Sequence, residues 1–154
     1  MNKKSISLDY ANSLMYDLEK AFWDERGRGA RFRTTIVGRE FFTEKLLPQI
    51  QSPELEHILQ VVVDILQSEG IAGKVSYEKE DRLLRVSVEG CVHRQVEEKM
   101  IALDIEPFTC IPANLIVLAL EEKLDRPVEL AEIKLDQGGC QLLLVVFDQR
   151  PTLD

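Results

Sequence analysis

The sequence predicts an α+β fold, with N-terminal helices plus a four-stranded antiparallel sheet made of two hairpins, covered by helices. Three observations predict it. Apolar residues recur at helical spacing through the first half of the chain. Near Gly73 the period drops to two, which is the alternation of a half-buried strand. Further on, two apolar strand-like runs flank Asp136-Gln137-Gly138-Gly139, residues suited to a tight turn with positive φ.

The elements follow in order. From Asp9 to Arg26, Leu14, Leu18 and Phe22 recur every fourth residue, with Ala11, Met15 and Ala21 beside them. That spacing marks one apolar helix face, and Gly27 and Gly29 end the helix. A second helix is expected over Arg31–Leu47, with Phe32, Ile36, Phe41 and Leu46 apolar; Gly38 interrupts it and Pro48 stops it. A third has Ser52 as its cap, Pro53 in its first turn, and Leu55, Ile58, Leu59, Val62, Ile65 and Leu66 on its inner face. The first hairpin pairs Val75 and Tyr77 with Leu84, Val86 and Val88 across a turn at Lys79–Arg82. Cys91–Leu103 can form a helix. Pro112–Leu124 is apolar around most of its circumference, which predicts a buried helix with Glu121 and Glu122 exposed at its end. Val128–Leu135 and Cys140–Phe147 form the second hairpin. Val128 and Leu130 fall out of phase with Ile133 and Leu135, so a bulge is expected near Ala131. The final strand is apolar without alternation, which predicts a central strand covered on both faces.

The chain suits a single domain of 154 residues, and 45% hydrophobic residues supply a core without metal or disulfide. Its formal net charge of -8 opposes a phosphate backbone, so no nucleic-acid partner is expected. No apolar run is long enough to span a membrane. Three cysteines without a CxxC pair, and no signal-peptide pattern, predict a reduced, cytoplasmic setting. Arg26, Arg28, Arg31, Arg33 and Arg39 crowd one stretch; they read as a solvated face or as a contact for an acidic partner or ligand carboxylate.

Little catalytic equipment is visible. His57 and His93 are the two histidines, and no triad, Walker loop or GxGxxG occurs. His93 follows Cys91 by two residues, but nothing supplies an orienting third group. Glu129 and Glu132 interrupt apolar strand residues; they are either two exposed side chains or a pair of which one turns inward. Cys91, Cys110 and Cys140 are either core filler or part of a site.

From Glu54 onward the chain resembles the 4-vinyl-reductase-type small-molecule-binding (hydrocarbon-binding) domain family, which is related in fold to the transport-protein-particle components. The resemblance rests on Leu55–Gly70, VSVEGC at Val86–Cys91, FTC at Phe108–Cys110, RPVELAE at Arg126–Glu132 and GGCQLLLVVF at Gly138–Phe147. It implies a non-catalytic domain that binds a hydrophobic or aromatic ligand, acting as a sensor or accessory protein and needing no cofactor. The implied pocket lies between the buried helix and the sheet, lined by Phe108, Cys110, Ile111, Leu115, Leu118 and Val128. Family members that carry zinc imply a site here on Cys110, Glu129, Glu132 and Cys140, with Glu132 standing where the family has a cysteine. The N-terminal helices, with Phe22, Trp23, Phe41 and Phe42, become the expected homodimer surface. An assembly or scaffold factor without ligand, with tetrapyrrole or photosynthetic complex biogenesis as one version, is the alternative; a reductase is a third reading, for which the sequence offers no redox cofactor motif.

Overall fold

Hydrophobic periodicity and turn chemistry act together in the computed structural model, which describes residues 5–32 and 36–148. Helix α1 (Leu8–Arg26) starts where the Ser7 side chain accepts a hydrogen bond from the Tyr10 N–H, and ends at Gly27 with φ 58°. A short 3-10 turn, Gly27–Phe32, follows. Helix α2 (Arg39–Phe41) continues into a π turn at Phe42–Leu46 and a 3-10 turn at Leu47–Gln49. Helix α3 spans Leu55–Ser68. Strands β1 (Lys74–Glu80) and β2 (Leu83–Glu89) form the first hairpin. Helices α4 (Arg94–Ala102) and α5 (Ile111–Leu124) come next, then β3 (Val128–Leu135) and β4 (Gly139–Val146). The sheet is four-stranded, with order β1-β2-β4-β3 and every neighbouring pair antiparallel.

One face of this sheet carries the main core. Leu84, Val86, Val88, Leu142, Leu144 and Val146 are buried in one cluster with α3 and α5 side chains. Helix α5 is buried along Pro112–Leu120, as its unbroken apolar composition requires. β4 is central, yet its opposite face is incompletely covered: Leu143 and Val145 remain half-exposed and Gln141 is exposed. The expectation of cover on both faces fails because the described helices pack on one side.

The β3–β4 register shifts between Leu130 and Glu132, where the sequence places the bulge. Its effect is to restore phase. Val128, Leu130, Ile133 and Leu135 lie opposite Val146, Leu144, Leu142 and Cys140, the buried residues of β4. Glu129, Glu132 and Lys134 lie opposite Val145, Leu143 and Gln141 on the other face.

Several boundaries differ from the sequence reading. Gly38 does not interrupt a helix; it caps one, at φ 99°. Its missing Cβ lets Leu115 approach, since a Cβ there would meet Leu115 Cδ2 at 3.3 Å. Arg33 lies outside the described residues, as do its neighbours at 34–35. Pro48 sits inside the 3-10 turn rather than after a helix. Glu54 is the N-cap of α3, while Ser52 Oγ accepts the Glu54 N–H at 3.1 Å and shapes the approach. Neither Gly138 nor Gly139 has positive φ; the Asp136 carboxylate accepts both of their N–H groups, at 3.2 and 2.8 Å, and builds the turn instead.

Helix α1 presents the largest difference. Leu14 and Leu18 are 47% and 64% exposed, while Asn12 is buried. The inward residues are Asn12, Tyr16, Glu19 and Trp23, which repeat at helical spacing but carry polar groups. Asn12 Nδ2 donates to Gln95 Oε1 at 3.0 Å, and the Trp23 ring stacks on Phe108 with centroids 5.6 Å apart. Ala30, Met100, Ile105 and Phe108 form a second, smaller core with Tyr16, Phe22 and Trp23 against it.

Candidate functional site

The buried polar chemistry gathers where α1, α4, α5 and the open end of the sheet meet. β2 ends at Glu89, and Gly90 turns the chain with φ 68°. The Gly73 N–H donates to the Glu89 carbonyl at 2.8 Å, and the Val92 N–H to the Ile71 carbonyl at 3.0 Å. This fastening delivers Cys91 and His93 to the start of α4. The His93 N–H points at Cys91 Sγ, 3.4 Å away.

His93 is 1% exposed and its two ring nitrogens are both engaged. Nδ1 lies 3.0 Å from Glu97 Oε1 and Nε2 lies 2.6 Å from Glu19 Oε2. Burial alone would lower its pKa; the hydrogen bonds to Glu19 and Glu97 outweigh burial and raise it from 6.5 to about 9. The ring is therefore an imidazolium at neutral pH. With both N–H groups donated to carboxylates, it is not a base for Cys91. Glu97 is also 1% exposed, and its Oε2 accepts no hydrogen bond among the described residues.

The three cysteines converge beside this triad. Cys110 is the N-cap of α5 and is fully buried. Cys140 is in β4, opposite Val88 of β2 and Leu135 of β3. Its sulfur shares a hydrogen bond with Cys110, which holds Cys140 below the ordinary thiol range and Cys110 well above it. Burial pushes Cys91 up to about 11. Cys91, Arg94, Glu97, Leu135, Gly139 and Cys140 surround a narrow gap at this place, too small to admit a water molecule. Arg94 closes one side: its guanidinium donates to the Gly139 and Asp136 carbonyls, and to Glu98 Oε1 at 2.9 Å.

A second depression lies on another surface. It is an open groove of about 540 Å³ lined by Ile36, Gly38, Arg39, Glu40, Phe41, Glu44 and Lys45. Through Gly38 it adjoins Leu115 of the buried helix.

None of the expected ligand-lining residues lines either of these two depressions. Cys110, Leu115, Leu118 and Val128 belong to the main core, and Ile111 is half-buried at the head of α5. Phe108 belongs to the second core, on Trp23. Neither depression lies between α5 and the sheet. The expected zinc set also divides. Cys110 and Cys140 meet, but Glu129 and Glu132 are exposed on the outer face of β3, Glu132 reaching Lys134 at 3.2 Å. The bulge sends both carboxylates outward. Among the described residues, no group of three or more His, Cys, Asp or Glu side chains is arranged to hold a metal ion. Of the expected interface aromatics, Phe42 is buried in the main core, Phe41 packs against that core, and Phe22 and Trp23 pack against the second.

Sequence reasoning missed the Glu19–His93–Glu97 triad. The signal was present: His93 and Glu97 are four apart and share a face with the apolar Val96 and Met100. His57 Nε2, by contrast, accepts the Gln51 N–H at 3.1 Å and shapes a turn.

No described helix is long and apolar enough to cross a membrane. The fold and site define an α+β protein with a buried carboxylate–imidazolium–thiol cluster. Compared with protein-family models, curated proteins and solved structures, the chain matches none.

Proposed function

We propose that this chain is a non-catalytic binding domain for a hydrophobic or aromatic small molecule, acting as a sensor or accessory protein. The observation that carries the reading is the groove beside α2. Its volume falls in the range of small-molecule sites, and it combines Ile36 and Phe41 with two cations, Arg39 and Lys45, and two carboxylates, Glu40 and Glu44. Such a wall suits an aromatic body with a polar edge that one of the cations can meet. Gly38 in its floor packs directly on Leu115, so a ligand here lies one residue away from the helix that organises the core. The resemblance of the VSVEGC, RPVELAE and GGCQLLLVVF segments to hydrocarbon-binding domains supports the same class of ligand.

The test uses 8-anilinonaphthalene-1-sulfonate, an aromatic anion, as probe. Its fluorescence should rise saturably, with one probe per chain by native mass spectrometry. Ile36→Glu and Arg39→Glu should each weaken binding by about tenfold, the equivalent of one lost contact of about 1.4 kcal/mol. Non-saturable binding, or binding indifferent to both substitutions, sinks the reading.

A second reading is an assembly factor, in tetrapyrrole or photosynthetic biogenesis as one version, that works as a homodimer through its N-terminal helix. Tyr10, Leu14 and Leu18 favour it, because they form an exposed apolar stripe along α1. Sedimentation equilibrium should then show a dimer that Leu14→Glu with Leu18→Glu converts to monomer. A parent protein that stays monomeric at tens of micromolar, a range chosen for modest dimer affinity, removes this reading.

A further inference from the structure

We propose that the open face of the sheet docks a basic amphipathic helix of another protein. The apolar stripe of that helix would lie on Leu83, Leu143 and Val145, and its lysines or arginines on carboxylates of the two edge strands. The proposal rests neither on the groove beside α2 nor on the apolar stripe of α1. It starts from β4. A central strand that is apolar on both faces calls for cover on both. The inner face has it, from α3 and α5. On the outer face Leu143 and Val145 are half-exposed, and Phe147 follows in the same phase just beyond the strand. Leu83 of β2, also half-exposed, lies opposite Val145. None of these four packs against either described core, whereas Leu130, Ile133 and Leu135 of β3 pack against the main one.

Register fixes what flanks this ridge. With strand order β1-β2-β4-β3, paired residues run across the face in rows. One row is Glu80, Leu83, Val145 and Glu129; the next is Glu78, Arg85, Leu143 and Glu132. Exposed glutamates therefore stand along both sides of the apolar ridge. Two cations share this part of the face: Arg85, and Lys134, which Glu132 holds at 3.2 Å. At the far end Lys74 lies opposite Glu89, and the two offset one another. The excess is negative, as it is for the whole chain at a formal net charge of -8. That polarity selects the occupant. Nucleic acid and an anionic membrane are repelled. Helix α1 of a second copy does not complement the face, since it carries Asp9, Asp17, Asp24 and Glu25 against Lys20 and Arg26. A second sheet would lie flat and strip water from the glutamates. A helix is about 10 Å across, while four strands span about 14 Å centre to centre, so a helix on the ridge leaves both rows of carboxylates at its rim. There they meet basic side chains in wet pairs, which fix orientation and partner choice. Leu143 to Phe147 extends about 14 Å, the length of about nine helical residues.

The experiment titrates the full chain into a fluorescein-labelled peptide of about 14 residues, four helical turns, with leucines on one face and lysines on the other, and reads fluorescence anisotropy. Binding should saturate at one peptide per chain, and a peptide with glutamate in place of lysine should not bind. Glu78→Lys with Glu129→Lys should weaken binding by at least about tenfold. Leu143→Thr with Val145→Thr, which keeps β-branched residues in the strand, should do the same. Glu56→Lys with Asp64→Lys, at exposed positions of α3 on the other side of the sheet, shifts the net charge equally and should change affinity by less than about twofold. Absence of saturable binding overturns the proposal, and so does binding indifferent to the threonine pair. Equal weakening by the two charge reversals overturns it as well, because net charge alone would then draw the peptide. A parent dimer that the threonine pair dissociates assigns the face to a second copy and also overturns it. The two charge reversals decide the matter even if the threonine pair fails to fold, which circular dichroism reports.

Discussion

His93→Leu is expected to lower the unfolding free energy at pH 7 by about 3–5 kcal/mol, measured by urea denaturation. The imidazolium is the donor that joins two carboxylates, at 2.6 Å to Glu19 and 3.0 Å to Glu97. Glu97 is 1% exposed, and one of its oxygens already has no hydrogen-bond partner among the described residues. Leucine would leave a buried carboxylate without its imidazolium partner, and would also cut the link between α1 and α4. The pH dependence has a definite sign. The folded pKa of about 9 lies above the ordinary 6.5, so the stabilisation is complete below about pH 6.5 and is lost as pH rises through about 9. The size of that loss is about 3 kcal/mol. Other groups titrate in the same window, so the decisive quantity is the difference between parent and variant. That difference should shrink between pH 7 and pH 10. A gap that stays constant, or an imidazole that titrates near 6.5 by NMR, would show that the triad does not hold α1.

Gly139→Ala is expected to cost about 3 kcal/mol, with Gly138→Ala close to neutral. A Cβ at Gly139 would sit 2.1 Å from the Val88 carbonyl oxygen and 3.0 Å from its carbon. Both atoms are backbone in a paired strand and cannot rotate aside. Relief requires β4 to part from β2 at the Glu89–Gly139 pair, next to Cys140. The same movement disturbs the Gly139 carbonyl bond to Arg94 and the N–H bond to Asp136. At Gly138 nothing lies within 4 Å of the added atom. Equal urea midpoints for the two alanine variants would contradict this strand register.

Helices α3 and α5 were legible because their apolar residues agree with their tertiary surroundings. The bulge at Ala131 was legible too, since a phase change between Leu130 and Ile133 has few other remedies. α1 was misread for a physical reason. Leu14 and Leu18 dominate its hydrophobic pattern, but α4 offers His93 and Gln95, and these select the face carrying Glu19 and Asn12. A periodicity argument ranks residues by transfer from water and cannot see a partner that arrives from a distant segment. Gly139 was assigned to turn geometry because glycine is common there; the need for it is a close backbone approach, which only the β2–β4 register creates.

The sequence alone determined the α+β class, the two hairpins and the buried helix, since these follow from local period, turn residues and a continuous apolar run. Tertiary structure decided what the polar residues do. It turned Glu129 and Glu132 away from Cys110 and Cys140, because strand phase fixes which face a carboxylate takes. It also brought Glu19, His93 and Glu97 to the same junction as Cys91, Cys110 and Cys140. Their meeting depends on how α1, α4, α5 and the sheet pack, and segments separated by tens of residues carry no local mark of the neighbours that packing gives them.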